Sequence, residues 1–416
     1  MNYRRIIGIL LVMSLLLSVF CIPVNASAQT YAQNYLDEQM EEYDIHGVVY
    51  VTKNGEVLCQ SARGIANTAE SKEMTVDTLF PIGSNSKQFC AAAILLLQEQ
   101  GKLSVDDPIS EYFPEYTIAK DVTIKNLLTM RSGICNHPES LFKEYTLSED
   151  ATSEENIQTI LDWLYTKKLL FTPDKAHRYS NTNYLLLSII VEQVSGQSYA
   201  DFIEENIFVP LGMNNSGFYE ELKNHPDLAE HNGDSDAPID PDYKGLIQGS
   251  GDLVSTAEDM DKWMTSLKEC TILSEESVNE MTTDYSRGTG YGYGVRLQND
   301  GGLFHDGAIV TYLSFVFTYP DEGFNVFAVT NDIENEGNML ANLFFETVDE
   351  LKNLGITGDT NCDGVVNVKD ATAIQKHIAD LITLTDEGYA VADVDESGAV
   401  NIKDATAIQK RIAGLI

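Results

Sequence analysis

The spacing of hydrophobic and polar residues changes along this chain, and each change marks an element. After an apolar N-terminal run, a helical spacing covers residues 31–43. Runs with a strand period at 48–52 and 56–64 then flank Asn54-Gly55, a dipeptide suited to the left-handed positions of a two-residue hairpin. Pro81 and Gly83 break the pattern, and Ser84 stands where a helix should begin. Phe89, Ala93, Leu96 and Leu97 give that helix an apolar face, with Gly101 as its stop. From Asp106 to about Ala257 the spacing is mostly helical, with candidate helices at 123–130, 155–165, 183–194 and 257–268. Polar loops at 136–150 and 219–242 interrupt it, and loops of that length are often functional rims or lids. Strand patterns return at 292–297, 311–319 and 325–331, and an amphipathic helix at 337–351 follows.

Strands at both ends and helices between them predict an α/β (α+β) fold. One antiparallel sheet is assembled from N- and C-terminal strands, backed by terminal helices, with a helical region inserted. The site then lies between the sheet and the inserted helices. A short linker at 353–357 leads into a repeat: residues 369–376 and 403–410 both read KDATAIQK, an offset of 34.

Composition narrows the function. A formal charge of −37 repels nucleic acid and anionic membrane surfaces. Two arginines within residues 1–5, an apolar stretch at 6–24 and the small-residue site Ala26-Ser27-Ala28 predict a cleaved signal peptide at 1–28, with no stable membrane anchor afterwards. Cys59, Cys90, Cys135, Cys270 and Cys362 are odd in number and scattered, so most are expected to be free and buried, with no disulfide framework.

Each repeat opens with an oxygen-rich loop. The first presents Asp359, Asn361, Asp363, Gly364, Val365, Asn367 and Asp370; the second presents Asp393, Asp395, Ser397, Gly398, Ala399, Asn401 and Asp404. These are loop positions 1, 3, 5, 6, 7, 9 and 12, the spacing by which an EF-hand wraps Ca²⁺. Glycine makes the sharp turn, and Val365 and Ala399 offer backbone carbonyls. Aspartate at position 12, and a helix after each loop without a good one before it, resemble a dockerin module over residues 358–416. The resemblance implies two structural calcium ions in a small all-α domain at 355–416. It also implies a cohesin domain of a cellulosome-type scaffoldin as partner. Recognition would use Val368, Lys369, Gln375 and Lys376, with Ile402, Lys403, Gln409 and Lys410 in the second repeat. Their near identity suggests that either helix can face the cohesin.

Ser84 and Lys87 are three apart, so a helix sets them on one face, a nucleophile beside a candidate base. Downstream, Tyr179 and Asn181 precede a predicted helix, and His305 and Gly307 precede a predicted strand. His137, His177, His225 and His231 fall in polar loops and are given no catalytic role. The ordered S-x-x-K, Y-x-N and H-x-G motifs are framed by VTIKNLLTMRSGI, IFVPLGMNNSGF, GSGDLVSTAEDM and GYGYGV. The chain from about 35 to 354 therefore resembles the serine β-lactamase-related family, in its class C-type branch with penicillin-binding peptidases and esterases. The domain expected is 29–354.

The resemblance implies an acyl-enzyme on Ser84. Lys87 and Tyr179 form a coupled base, with the resting proton on either, and Tyr179 passes a proton to the leaving group. Asn181 would orient Lys87 and the substrate, and the backbone N–H groups of Ser84 and Ala308 would form the oxyanion hole. No catalytic cofactor is implied. His305 stands where many relatives carry lysine; largely neutral at pH 7, it is a weak anchor for a substrate carboxylate. With the acidic rim loops, it favours an esterase with a small acyl-ester or peptide substrate, secreted and scaffold-bound at a bacterial surface. A D-amino-acid-specific peptidase or β-lactamase is the alternative. A catalytically silent scaffold-binding subunit is a third reading, which the intact Ser84, Lys87 and Tyr179 set disfavours.

Overall fold

The structure, a computed structural model, describes residues 26–416 except 142–143, 145–146, 149, 232–243, 286–287, 355, 364, 396 and 416. The hairpin forms as its turn chemistry requires: β1 (Gly47–Lys53) and β2 (Glu56–Arg63) are joined through Asn54 at φ +53° and Gly55 at φ +80°. Four late strands complete the sheet: β3 (Arg296–Leu297), β4 (Leu303–Ile309), β5 (Tyr312–Tyr319) and β6 (Phe324–Thr330). The order is β2-β1-β6-β5-β4-β3, antiparallel throughout, with Gly47 of β1 opposite Thr330 of β6.

Both faces of this sheet are covered, which is why β5 and β6 are apolar runs rather than alternating ones. Phe327 and Val329 enter the core on one side, while Phe324, Val326 and Ala328 enter the core on the other. The second side is closed by α1 (Ala26–Glu42) and α5 (Ile333–Leu351), whose first turn is capped by the Asp332 side chain. The first side carries α2 (Ser86–Glu99), α3 (Asn181–Ser195) and α4 (Ala257–Glu269). Helix α2 lies at the centre of the molecule. It is buried from Ser86 to Leu95, and Phe89 packs on Trp263 of α4 with ring centroids 4.4 Å apart. The predicted site, between sheet and inserted helices, is where these surfaces meet.

Several expectations are corrected. Helix α2 starts at Ser86; Ser84 belongs to a preceding 3-10 turn, Gly83–Asn85, in which Gly83 takes φ +52° and accepts a hydrogen bond from Ser86 Oγ. Only Arg296–Leu297 of the 292–297 run is strand, because Gly294 has φ +72° and packs against the Lys87 carbonyl. His305 and Gly307 lie within strand β4, not ahead of one. Asn181 is the first residue of α3. His137 is not in a polar loop: it opens a short helix, His137–Ser140, is fully buried, and bonds Thr182 and the Leu246 carbonyl. The acidic rim loops fall partly outside the described residues, as does most of the predicted signal peptide. Its cleavage point lies in the first turn of α1, where Ala28 is buried.

The C-terminal segment is helical: α6 (Val368–Ile378), α7 (Asp386–Ala390) and α8 (Ile402–Ile412). Its small core is Ala371, Ile374, Leu384, Ala392, Ala405 and Ile408. The short α7 does lead into the second oxygen-rich loop, contrary to expectation. Cys59, Cys90, Cys135, Cys270 and Cys362 are free thiols, but only Cys59 and Cys90 are fully buried.

Candidate active site and calcium loops

The turn that carries Ser84 is pressed against β4. A Cβ on Gly307 would lie 2.0 Å from the Ile82 carbonyl oxygen, and one on Gly83 would lie 2.9 Å from the Ala308 nitrogen. Only glycine permits that approach. The nucleophile's turn and the Ala308 amide are thereby adjacent. Strand ends reinforce the frame: Phe80–Pro81 pairs with Leu253–Ser255, and Leu253 N–H donates to Ser86 Oγ at 3.1 Å.

Ser84 Oγ lies 2.9 Å from Lys87 Nζ and 2.6 Å from Tyr179 Oη. Lys87 is wholly buried, and its amine also donates to the Ser250 carbonyl at 2.6 Å and sits 4.8 Å from the Tyr179 ring centroid. Burial pushes the Lys87 ammonium down to about 7, and the same desolvation raises the Tyr179 phenol above its ordinary value. These shifts favour a neutral phenol beside an amine able to lose its proton near neutrality.

The segment bearing Tyr179 is anchored by main-chain and side-chain bonds to residues 130–136. Arg178 N–H donates to the Met130 carbonyl at 2.9 Å, Ser180 Oγ to the Cys135 carbonyl at 3.1 Å, and Asn181 N–H to Asn136 Oδ1 at 2.8 Å. Asn181 is not bonded to Lys87. Its Oδ1 is buried and has no partner among the described residues.

His305 is 1% exposed. Its Nδ1–H donates to the Asp306 carbonyl at 2.7 Å, leaving Nε2 to accept from Tyr291 Oη at 3.3 Å. Burial holds the ring well below its ordinary pKa, so it is neutral. Four participants were missed by sequence reasoning. Ser250 and Asp252 lie in the GSGD phrase; Asp252 is half-buried with an enclosed carboxyl group that accepts from Gly249 N–H at 3.1 Å, and desolvation pushes it up to about 7. Arg296 and Asp306 form an ion pair at 3.3 Å on the open side of β3 and β4. An arginine two residues beyond a glycine-rich turn, and an acid inside H-x-G, were the available signals.

In the second oxygen-rich loop, carboxylate oxygens of Asp393, Asp395 and Asp404 lie within 4.8 Å of one another. Backbone N–H groups fold the loop around them: Ser397 donates to Asp393, and Val394, Asp395 and Asn401 donate to the buried Asp404. The first loop has the same frame. Asp363 N–H donates to Asp359 and Asn361, Val365 N–H to Asp363, and Asn361 and Asn367 N–H to the buried Asp370. Asn367 with Asp370, and Asn401 with Asp404, also form the capping boxes that start α6 and α8. An all-oxygen donor set converging in a glycine-turned loop fits a hard cation such as Ca²⁺.

This fold is that of the β-lactamase-like serine hydrolase family, with an appended two-loop module. The Beta-lactamase family model matches residues 32–344 and the Dockerin type I domain model matches residues 357–413. The chain belongs to the β-lactamase family and ends in a type I dockerin domain. It is 28% identical over 308 residues to a putative penicillin-binding protein, PbpX, of Bacillus subtilis, covering 73% of this chain and 75% of that one. It is 26% identical over 253 residues to a teichoic acid D-alanine hydrolase of Staphylococcus aureus, covering 60% and 61%. Among solved structures, the octameric penicillin-binding protein homologue from Pyrococcus abyssi superposes with a TM-score of 0.63 at 29% identity, covering 75% and 77%.

Proposed function

We propose that this protein is a secreted serine acyl hydrolase that opens an ester, with amides of the same acyl groups as the second reading, and that its dockerin tethers it to a cohesin. The observation that carries the catalytic part is the placement of Ser84 Oγ, 2.9 Å from Lys87 Nζ and 2.6 Å from Tyr179 Oη. Lys87, in its neutral form, takes the Ser84 proton as Oγ attacks the acyl carbonyl. The oxyanion that forms is met by the backbone N–H groups of Ser84 and Ala308. Tyr179, a phenol at rest, hands its proton to the departing oxygen or nitrogen and takes back the proton that Lys87 received from Ser84. Water then attacks the acyl-enzyme with the same groups acting in reverse. Asn181 Oδ1, unpartnered among the described residues, accepts a hydrogen bond from substrate rather than orienting Lys87.

The ester reading is supported by the neutral His305, which offers no fixed charge to a β-lactam or peptide carboxylate. The similarity to a teichoic acid D-alanine hydrolase brings D-alanyl groups into the range of acyl groups to be tried. Ser84-dependent turnover of a panel of acyl esters, D-alanyl amides and nitrocefin, with Ser84→Ala as the control, ranks these substrates. Absence of any Ser84-dependent turnover or labelling contradicts the hydrolase reading.

For the C-terminal module, Asp359, Asn361, Asp363, Val365, Asn367 and Asp370 would hold one calcium ion, and Asp393, Asp395, Ser397, Ala399, Asn401 and Asp404 a second. Calcium supplies charge that neutralises the clustered carboxylates and fixes the loops ahead of α6 and α8. Val368 and Ile402, at the starts of those helices, are exposed and suit a docking surface for the cohesin. Cohesin binding that survives thorough chelation contradicts this part.

A further inference from the structure

We propose that the C-terminal module is docked on the hydrolase as an energetically coupled part of it, so that calcium bound in the module's loops stabilises the hydrolase as well. This coupling rests on the calcium reading above and goes beyond tethering. Two adjacent residues of the module divide between two cores. Ala392 packs in the module's own core with Ala371, Ile374 and Ile408, whereas Val391, 1% exposed, packs in the hydrolase core on the second side of the sheet. That core joins α1 and α5 to the sheet, and the linker residue Leu354 is buried in it too.

Val391 directly follows α7, and α7 lies against α1. The linker is pinned at this seam. Gly358 N–H donates to the Val391 carbonyl at 2.8 Å, and the Arg411 guanidinium donates to the Thr357 carbonyl at 2.9 Å. The Tyr31 hydroxyl of α1 donates to Glu350 of α5. Burial raises that phenol, and the Glu350 and Glu387 carboxylates add to the rise, so an acid of α7 acts on the same α1 side chain.

Helix α7 also touches the first oxygen-rich loop. A Cβ on Gly388 would lie 2.3 Å from the Thr360 carbonyl oxygen, so α7 rests on the residue between Asp359 and Asn361. A five-residue helix does not hold its shape alone, and this one is supported by the loop on one side and α1 on the other. A divalent cation draws clustered carboxylates together and fixes the loop. Free energy that calcium adds there is shared through α7 and Val391 with the hydrolase core, and by linkage, loss of the seam weakens calcium binding. Val368 and Ile402, at the starts of α6 and α8, stay exposed, so a cohesin bound there leaves the seam intact.

Trp163 and Trp263 are the two tryptophans of the chain, both buried in the hydrolase. Thermal unfolding of the full-length chain followed by tryptophan fluorescence therefore reads the hydrolase and not the module. In the wild type, saturating Ca²⁺ should raise that midpoint by roughly 2–4 °C or more over chelated protein. Asp370→Ala combined with Asp404→Ala should remove the shift, which excludes calcium bound elsewhere. Val391→Asp sets a charge against the hydrolase core and leaves the module's own core complete. It should cut the shift to less than about half and weaken calcium binding, read by calorimetry, about fivefold or more. Val391→Ala, a milder change that keeps the fold, should act in the same direction. A tryptophan midpoint unmoved by calcium that calorimetry shows to be bound overturns the proposal. So does a shift that survives loss of both aspartates, or one unchanged in both Val391 variants. Failure of the full-length chain to bind calcium at all instead contradicts the calcium reading beneath it.

Discussion

Lys87 Nζ lies 2.6 Å from the backbone carbonyl oxygen of Ser250, so a neutral dipole holds the amine. Among the described residues no carboxylate lies within ion-pair distance of it. A buried ammonium without a counter-ion loses its proton easily, which is why Lys87 falls to about 7.

The pH dependence follows. The active form carries a neutral amine, so kcat/KM should rise as pH increases through about 7, giving an acidic limb with its midpoint there. Stability has the matching sign. The folded-state pKa lies below the unfolded value of about 10.4, so the unfolded chain binds more protons between the two. Stability should therefore increase with pH from about 7 to about 10.4, and Lys87→Met should remove that slope while abolishing turnover.

Asp252 adjusts this value. Its negative charge favours the Lys87 ammonium, although burial lifts its own pKa to about 7. Asp252→Asn keeps an acceptor for Gly249 N–H and removes the charge. The acidic limb of the pH–rate profile should move to lower pH, with kcat on the plateau changed less than the midpoint. A limb that stays in place contradicts this coupling.

Among the described residues the Tyr179 hydroxyl has one partner, Ser84 Oγ at 2.6 Å. Tyr179→Phe should lower kcat by about 10²–10⁴-fold, the usual scale for losing a general acid–base group. Thermal unfolding should change little, because the ring keeps its packing. A loss of activity that tracked a loss of folded protein would assign Tyr179 a structural role.

Gly307 tests the contact between strand and nucleophile turn. A methyl group placed 2.0 Å from the Ile82 carbonyl oxygen forces the two backbones apart. Gly307→Ala should destabilise the protein by about 1–3 kcal/mol, as overpacking does. It should reduce kcat more than stability alone accounts for, because Ser84 and the Ala308 amide separate. Circular dichroism melting beside steady-state kinetics reads both.

Calcium should stabilise the C-terminal module. Free calcium at about 100 times Kd adds about 2.7 kcal/mol to a state that alone binds it. The module's melting transition should therefore rise with added Ca²⁺ and fall with chelator. Asp370→Ala and Asp404→Ala, each removing a buried carboxylate, should each remove part of the shift.

The hairpin was legible because Asn54-Gly55 carries its own turn geometry, and the central strands because their apolar runs are bounded by turn residues. Strand β4 was not, because Gly301, Gly302, Asp306 and Gly307 read as loop. Gly302 instead lies against Phe317, and Gly307 against Ile82, so small residues are needed for packing. Ser84 and Lys87 do lie together, but Ser84 sits on a 3-10 turn that leads into α2, and Lys87 lies in the first turn of α2 itself. That displacement depends on Gly83 and the Ser86 side chain, which helix periodicity does not register. The Asn181 to Lys87 contact failed because the Ser250 carbonyl, a backbone atom with no sequence signature, occupies that role.

The central claim is that Ser84 is an activated nucleophile. The most direct measurement is intact-mass detection of covalent labelling by a fluorophosphonate, followed against time in wild type, Ser84→Ala and Lys87→Met. The account predicts one equivalent of label on the wild type, located on Ser84, none on Ser84→Ala, and strongly slowed labelling of Lys87→Met. Labelling that persists in folded Ser84→Ala, or folded wild type that takes no label, would contradict it.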